Sequence, residues 1–173
     1  LCEGAMMVAL AQVLSYIKLM ELPNGGSLTP AMFPIILFAV RWGLTPGLMA
    51  GFTFGLLQLI FDGAYAWGWQ SMLLDYLVAF MALGTAEFFA RPFKNRMVGV
   101  AVGTAIAGFL RFMCSFLSGV LVWGNLNEGL SAWTYSLVYN ASYMLPETLI
   151  TVVGAVLLIK AAPQIFDRQY TKA

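Results

Sequence analysis

Two charges stand where their neighbours are apolar. Asp75 sits in QSMLLDYLVAF (70–80), and Arg111 sits in IAGFLRFMCSF (106–116). Arg111, Ser115 and Ser118 are spaced i, i+4, i+7, and Ser136, Asn140, Tyr143 and Glu147 are spaced i, i+4, i+7, i+11. At that spacing each set shares one helical face. A carboxylate, a guanidinium and an amide on apolar helices suit three chemistries: catalysis, an ion pair that locks a bundle, or a binding cavity.

The residue types argue against catalysis. The chain has no histidine, so it has neither a Ser–His dyad nor a His-based zinc site. PNGGS (23–27) is not followed by GK[ST], so no phosphate-cradling loop opens there. Cys2 and Cys114 lie in apolar stretches without metal-ligand spacing and are expected to be free packing thiols. No catalytic residue, metal or cofactor is therefore expected.

The elements that carry these residues follow from composition. Of 173 residues, 61% are hydrophobic and 10% charged, and the mean hydropathy is +0.82. Soluble domains carry about 25% charged residues. The chain reads as an all-α integral membrane protein, one domain over 1–173, with lipid as its surroundings. Its net charge of +1 and lack of a basic run give nucleic acid nothing to hold.

Apolar runs and breakers predict six transmembrane helices, at about 3–20, 31–42, 45–61, 69–90, 97–121 and 132–160. ELPNGGSLTP (21–30) reads as a loop. The second run is short against the roughly 20 residues a span requires, so five spans or a re-entrant pair is the alternative. Lys and Arg fall in alternate links: Arg41, then Arg91, Lys94 and Arg96, then Lys160, Arg168 and Lys172. By the positive-inside rule both termini are cytoplasmic. Lys18 is the exception and can snorkel outward. Trp67, Trp69, Trp123 and Trp133 mark the opposite interface.

Depth follows from a rise of about 1.5 Å per residue. Asp75 lies about 9 Å, Asn140 about 12 Å and Arg111 about 15 Å below the outer ends of their helices. Intramembrane ionisable groups usually face a bundle interior or a wet cavity. An Asp75–Arg111 pair that merely locks the bundle accounts for two of these groups. It leaves Asn140, Tyr135, Tyr139, Trp123 and Trp133 gathered at one level without a reason. Aromatic walls with a few placed polar groups describe a small-molecule cavity better. Helix 1 adds Ala5 and Ala9, a small-xxx-small pair that lets a partner helix approach closely.

Four longer stretches extend this reading: PNGGSLTPAMFPIILFAVRWGLTPGLMAG, LLDYLVAF, FLRFMCSFLSGVLVWG and WTYSLVYNASYMLPE. Through them the chain resembles, over about 1–165, the thiamine-specific S-components of energy-coupling factor (ECF) vitamin transporters. The resemblance implies six helices in a prokaryotic plasma membrane and a thiamine site near the outer face. It implies docking through Ala5 and Ala9 onto a transmembrane coupling protein with two ATPase subunits. It implies that Asp75 binds the aminopyrimidine with Tyr76 beside it, that Arg111 is the basic residue of helix 5, and that Trp123 stacks on the ligand. Tyr135 and Asn140 fall on its helix 6 site positions. Trp133 is a second candidate for stacking. Phe54 stands where some relatives have tryptophan, and Asp75, Arg111 and Ser115 where some have Glu, Lys and a nearby His. Arg111 suits a cationic ligand only if it is itself paired, with Asp75 or with Glu147. Two other readings remain: an S-component for another vitamin or precursor, and a structural membrane subunit of a cell-shape complex that binds no ligand.

Overall fold

Short apolar helices separated by glycine, proline and cationic links must pack on one another before any of them can face lipid. The computed structural model describes residues 1–62, 68–123 and 131–167, with Asn24 and Trp123 described by their backbones alone. Its helices are α1 (Cys2–Ser15), α2 (Met32–Trp42), α3 (Leu44–Asp62), α4 (Gly68–Leu83), α5 (Ala86–Ala90), α6 (Arg96–Ser118) and α7 (Ala132–Ala161). Three of them, α3, α6 with its continuation, and α7, are long and apolar enough to cross a membrane; α1, α2 and α4 are shorter apolar helices. Large side chains such as Phe52, Ile60, Leu149 and Leu157 point outward, as they would toward lipid.

Helix α2 sits at the centre. Eight of its 11 residues are buried, which is the pattern of a helix packed on all sides. At about 1.5 Å per residue it covers roughly 16 Å, half of a bilayer core of about 30 Å. Enclosed by its neighbours, it meets protein rather than lipid along most of its length. The core around it includes Phe54, Phe80, Leu83 and Val100.

The connection into α2 departs from the expected loop. Helix α1 ends at Ser15 rather than near 20, and the chain then forms a small antiparallel hairpin, β1 (Met20–Glu21) on β2 (Ser27–Leu28). Thr29, just beyond, reaches Glu147, 15 residues into α7. The connection therefore reaches about 22 Å below the start of α7. Irregular backbone at such depth is tolerated where it is buried in protein or lines a cavity.

The expected fourth helix, 69–90, is broken after Leu83, and α5 starts at Ala86. Within α4, Met72–Val78 is π-helical, a wide turn often found at functional sites. Its position is fixed by Gly47, Gly51 and Gly55 of α3. A Cβ at these three positions would collide with the backbone at Gly84, Phe80 and Tyr76 in turn. Glycine at every fourth residue thus lets α3 and α4 touch backbone to backbone. Helix α6 also passes into a π-helical turn, Gly119–Trp123.

At the other end of the bundle Arg96 ties four segments together. It pairs with buried Glu87 at 2.8 Å and donates to the carbonyls of Val40 at 2.8 Å and Phe166 at 3.0 Å. Arg41 pairs with Glu3 at 2.9 Å and donates to the Ile165 carbonyl at 3.1 Å. Two of the cations that sequence placed on one side of the membrane, Arg41 and Arg96, thus lie at one end of the fold.

Candidate functional site

A cavity opens between the hairpin connection and helices α3, α4, α6 and α7. Asp75, Tyr76, Phe54, Arg111, Tyr135 and Asn140 all line it, so the structure brings together six of the residues singled out from the sequence. Each helix contributes through its own face. The π-helical turn of α4 presents Asp75 and Tyr76. Arg111 and Ser115 come from the polar stripe of α6, and Tyr135, Ser136, Asn140 and Tyr143 from that of α7.

Asp75 is half-buried and held by hydroxyls. Its Oδ2 accepts from Ser71 Oγ at 2.8 Å and from Ser118 Oγ across the helix interface. The two serines are the last residues before the two π-helical turns. Asp75 makes no ion pair among the described residues. The pairing with Arg111, one expectation from sequence, does not form. Arg111 instead donates from Nη1 to Glu147 Oε2 at 2.7 Å. Glu147 Oε1 accepts from Thr29 Oγ1 at 3.3 Å. The Arg111 guanidinium also lies 4.6 Å from the Phe80 ring centroid, a cation–π contact. Glu147 is 2% exposed and Arg111 9%, so the pair closes on itself inside the protein.

Asn140 is committed to the wall. Its Nδ2 donates to the Ser136 carbonyl at 3.0 Å and the Ser115 carbonyl at 3.3 Å, and its Oδ1 accepts from Tyr143 OH at 3.1 Å. Tyr139 holds the hairpin connection: its hydroxyl donates to the Pro23 carbonyl and accepts from the Gly26 amide at 2.9 Å. Aromatic surface comes from Phe54 against Phe80, edge to face at 4.9 Å, and from Tyr135 stacked on Tyr139 at 5.8 Å.

Trp133 does not join this wall. It is 61% exposed and leans on Phe116 with ring centroids 5.6 Å apart. A tryptophan at the end of a membrane helix serves the interface equally well, and here it turns outward. The side chain of Trp123 lies outside the described residues, as does Trp67. Ala5 and Ala9 are exposed on α1 beside Met6 and Val13, away from the cavity.

Sequence reasoning passed over Ser71, Gln58 and Ser15, which also line the cavity. The signal for Gln58 was present. Phe54, Gln58 and Asp62 follow i, i+4, i+8 on α3, and all three face the cavity.

Among known families, the one described as "Thiamine transporter protein (Thia_YuaJ)" matches residues 1–167. The chain is 34% identical to the thiamine transporter ThiT of Bacillus subtilis (strain 168), over 95% of this chain and 92% of that one. It is 33% identical to the thiamine transporter ThiT of Lacticaseibacillus paracasei, over 95% of this chain and 88% of that one. Its fold is similar to a solved structure of ThiT from Listeria monocytogenes, with TM-score 0.84, 27% identity and 96% of each chain covered. The S component of a bacterial ECF transporter shares the fold at TM-score 0.68 and 18% identity, again over 96% of each chain.

Proposed function

The chain belongs to the thiamine transporter protein (Thia_YuaJ) family, and from that premise we propose that it is the thiamine-capturing S-component of an ATP-driven importer, a multi-pass protein of a prokaryotic cell membrane. The observation that carries the reading is Asp75. A carboxylate faces an aromatic-walled cavity, held only by hydroxyls and in no ion pair among the described residues. Such a group stabilises a ligand that brings a cation and N–H donors. Thiamine has both, as a thiazolium ring and an aminopyrimidine amine.

In this reading Asp75 accepts from the exocyclic amine and offsets the thiazolium charge. Phe54, Tyr76, Tyr135 and Trp123 supply ring contacts, and a cation over an aromatic face gains about 0.5–2 kcal/mol. Arg111 stays neutralised by Glu147 and does not repel the cation. Asn140 shapes the wall through Ser115 and Ser136. The three long and three shorter apolar helices form six spans, with both termini cytoplasmic beside Arg41 and Arg96. The exposed face of α1 at Ala5 and Ala9 docks on a transmembrane coupling protein that carries two ATPase subunits. The chain itself performs no catalysis.

Titration calorimetry of the purified protein tests the reading. Saturable thiamine binding is expected, with quenching of tryptophan fluorescence. Absence of both at micromolar thiamine overturns it.

A further inference from the structure

Gln58 is a buried amide in the last third of a largely apolar helix, and its amide nitrogen is turned toward α1. It is 6% exposed, lies on α3 and lines the cavity. Its Nε2 donates to Gln12 Oε1 and to Ser15 Oγ, each at 3.0 Å. Both contacts run this way within one connected network. Ser15 Oγ spends its single proton on the Gln12 carbonyl at 2.7 Å, so toward Gln58 it can only accept. Gln12 Nε2 donates to Tyr16 OH at 3.2 Å, which leaves its Oε1 to face Gln58. Both N–H groups of Gln58 are therefore consumed by α1. The remaining polar atom is Oε1, an acceptor without a hydrogen-bond partner among the described residues.

An amide in an apolar bundle costs free energy unless it is fully paired. Here half of it is paired and the other half belongs to a residue that lines the cavity. Asp75 is anchored from the α4 and α6 side, by Ser71 and Ser118. Gln58 is anchored from the α1 and α3 side. The cavity thus has two anchored acceptor positions, on the neighbouring helices α3 and α4, and a ligand that satisfies both needs two donors.

We propose that Gln58 is a further ligand-binding residue, whose Oε1 accepts a hydrogen bond from the hydroxyl of the ligand. The assignment rests on the thiamine reading, in which the amine engages Asp75 and the hydroxyethyl chain carries the other donor.

The experiment compares two ligands, thiamine and an analogue with ethyl in place of hydroxyethyl, on the intact protein and on Gln58→Met, which keeps the side-chain volume without the acceptor. The variant is expected to bind thiamine about five- to tenfold more weakly, the loss of one neutral hydrogen bond, and to bind the ethyl analogue within about twofold of the intact protein. An equal loss for both ligands, or none for thiamine, overturns the inference and makes Gln58 a packing residue. If Gln58→Met does not fold, the intact protein decides: equal affinity for the two ligands overturns the inference, and weaker binding of the ethyl analogue supports it. Intact protein that binds neither ligand overturns the thiamine reading, and this inference with it. Thiamine binding that ignores the hydroxyl overturns the inference alone.

Discussion

Two charged places lie within a few helical turns of each other, and they are built differently. At Arg111 and Glu147 the charges meet at 2.7 Å, both buried, with Thr29 and the Phe80 ring beside them. At Asp75 a lone carboxylate meets two serine hydroxyls and the cavity. The first place is charge-balanced without a ligand, although Arg111 Nε has no hydrogen-bond partner among the described residues, and the second is not charge-balanced. A charge inside a membrane protein is therefore not in itself a site. What distinguishes a site is whether the protein supplies the counter-charge. Arg111 lines the cavity, yet its charge is balanced by Glu147 from the protein side, which leaves Asp75 to set the sign of the ligand.

The largest effect expected from this contrast is on folding, at the closed pair. Glu147→Leu leaves the Arg111 guanidinium buried and uncompensated, which costs about 3–5 kcal/mol in comparable buried pairs. It should abolish a monodisperse peak on size exclusion. Replacing both partners, Arg111→Leu with Glu147→Leu, should restore most of the thermal stability, because no charge is then stranded. A single variant as stable as the double one would show that the pair is solvated and that the contrast with Asp75 is false.

At the open carboxylate the order reverses, with a small effect on stability and a large one on binding. Asp75→Asn keeps the shape and removes the charge. Losing a charged hydrogen bond costs about 1.5–3 kcal/mol, so the affinity for thiamine should fall roughly ten- to 150-fold. The melting temperature of the ligand-free protein should hold or rise, since a charge in no ion pair among the described residues has been removed. A lower melting temperature with unchanged affinity would make Asp75 structural.

Much of this contrast was legible in the sequence, and its limits have physical causes. Polar residues in apolar helices stand out, and their spacing fixes the face they share. That is why the stripes from Arg111 and Ser136 were found, and Arg111, Ser115, Ser136, Asn140 and Tyr143 from them line one cavity, while Ser118 and Glu147 do not. Spacing says nothing about which residue on a neighbouring helix lies opposite. The partner of Arg111 was therefore open between Asp75 and Glu147 until the helices were packed. The end of α1 was misplaced because Ile17, Leu19 and Met20 continue the apolar run, while the chain has already turned into the hairpin after Ser15. Two-residue strands are too short to show alternation. The π-helical turns carry no compositional mark at all. Gly47, Gly51 and Gly55 were readable as a close-packing ladder and went unread, although they set how Asp75 enters the cavity. Trp133 was misplaced because an aromatic ring at a helix end serves lipid and ligand equally well by composition.

The smallest effect on either charged place is expected from α1, which touches neither. Ala5 and Ala9 are exposed and lie one turn apart, and such residues matter only if something packs against them. Ala5→Trp and Ala9→Trp should leave both thiamine affinity and melting temperature close to those of the unmodified chain. The added indoles project outward, and among the described residues the cavity draws on α1 at Ser15 alone. Uptake is another matter. An indole in place of a methyl group holds a partner helix several ångströms away and removes the close backbone contact that small residues permit. Cells that also make the coupling protein and its ATPases should therefore lose thiamine uptake while membranes from the same cells still bind it. Normal uptake in both variants would put the docking face elsewhere. Loss of binding would mean that α1 supports the cavity directly, through the Gln12, Ser15 and Gln58 chain, and that the separation between capture and docking is less complete than the exposed alanines imply.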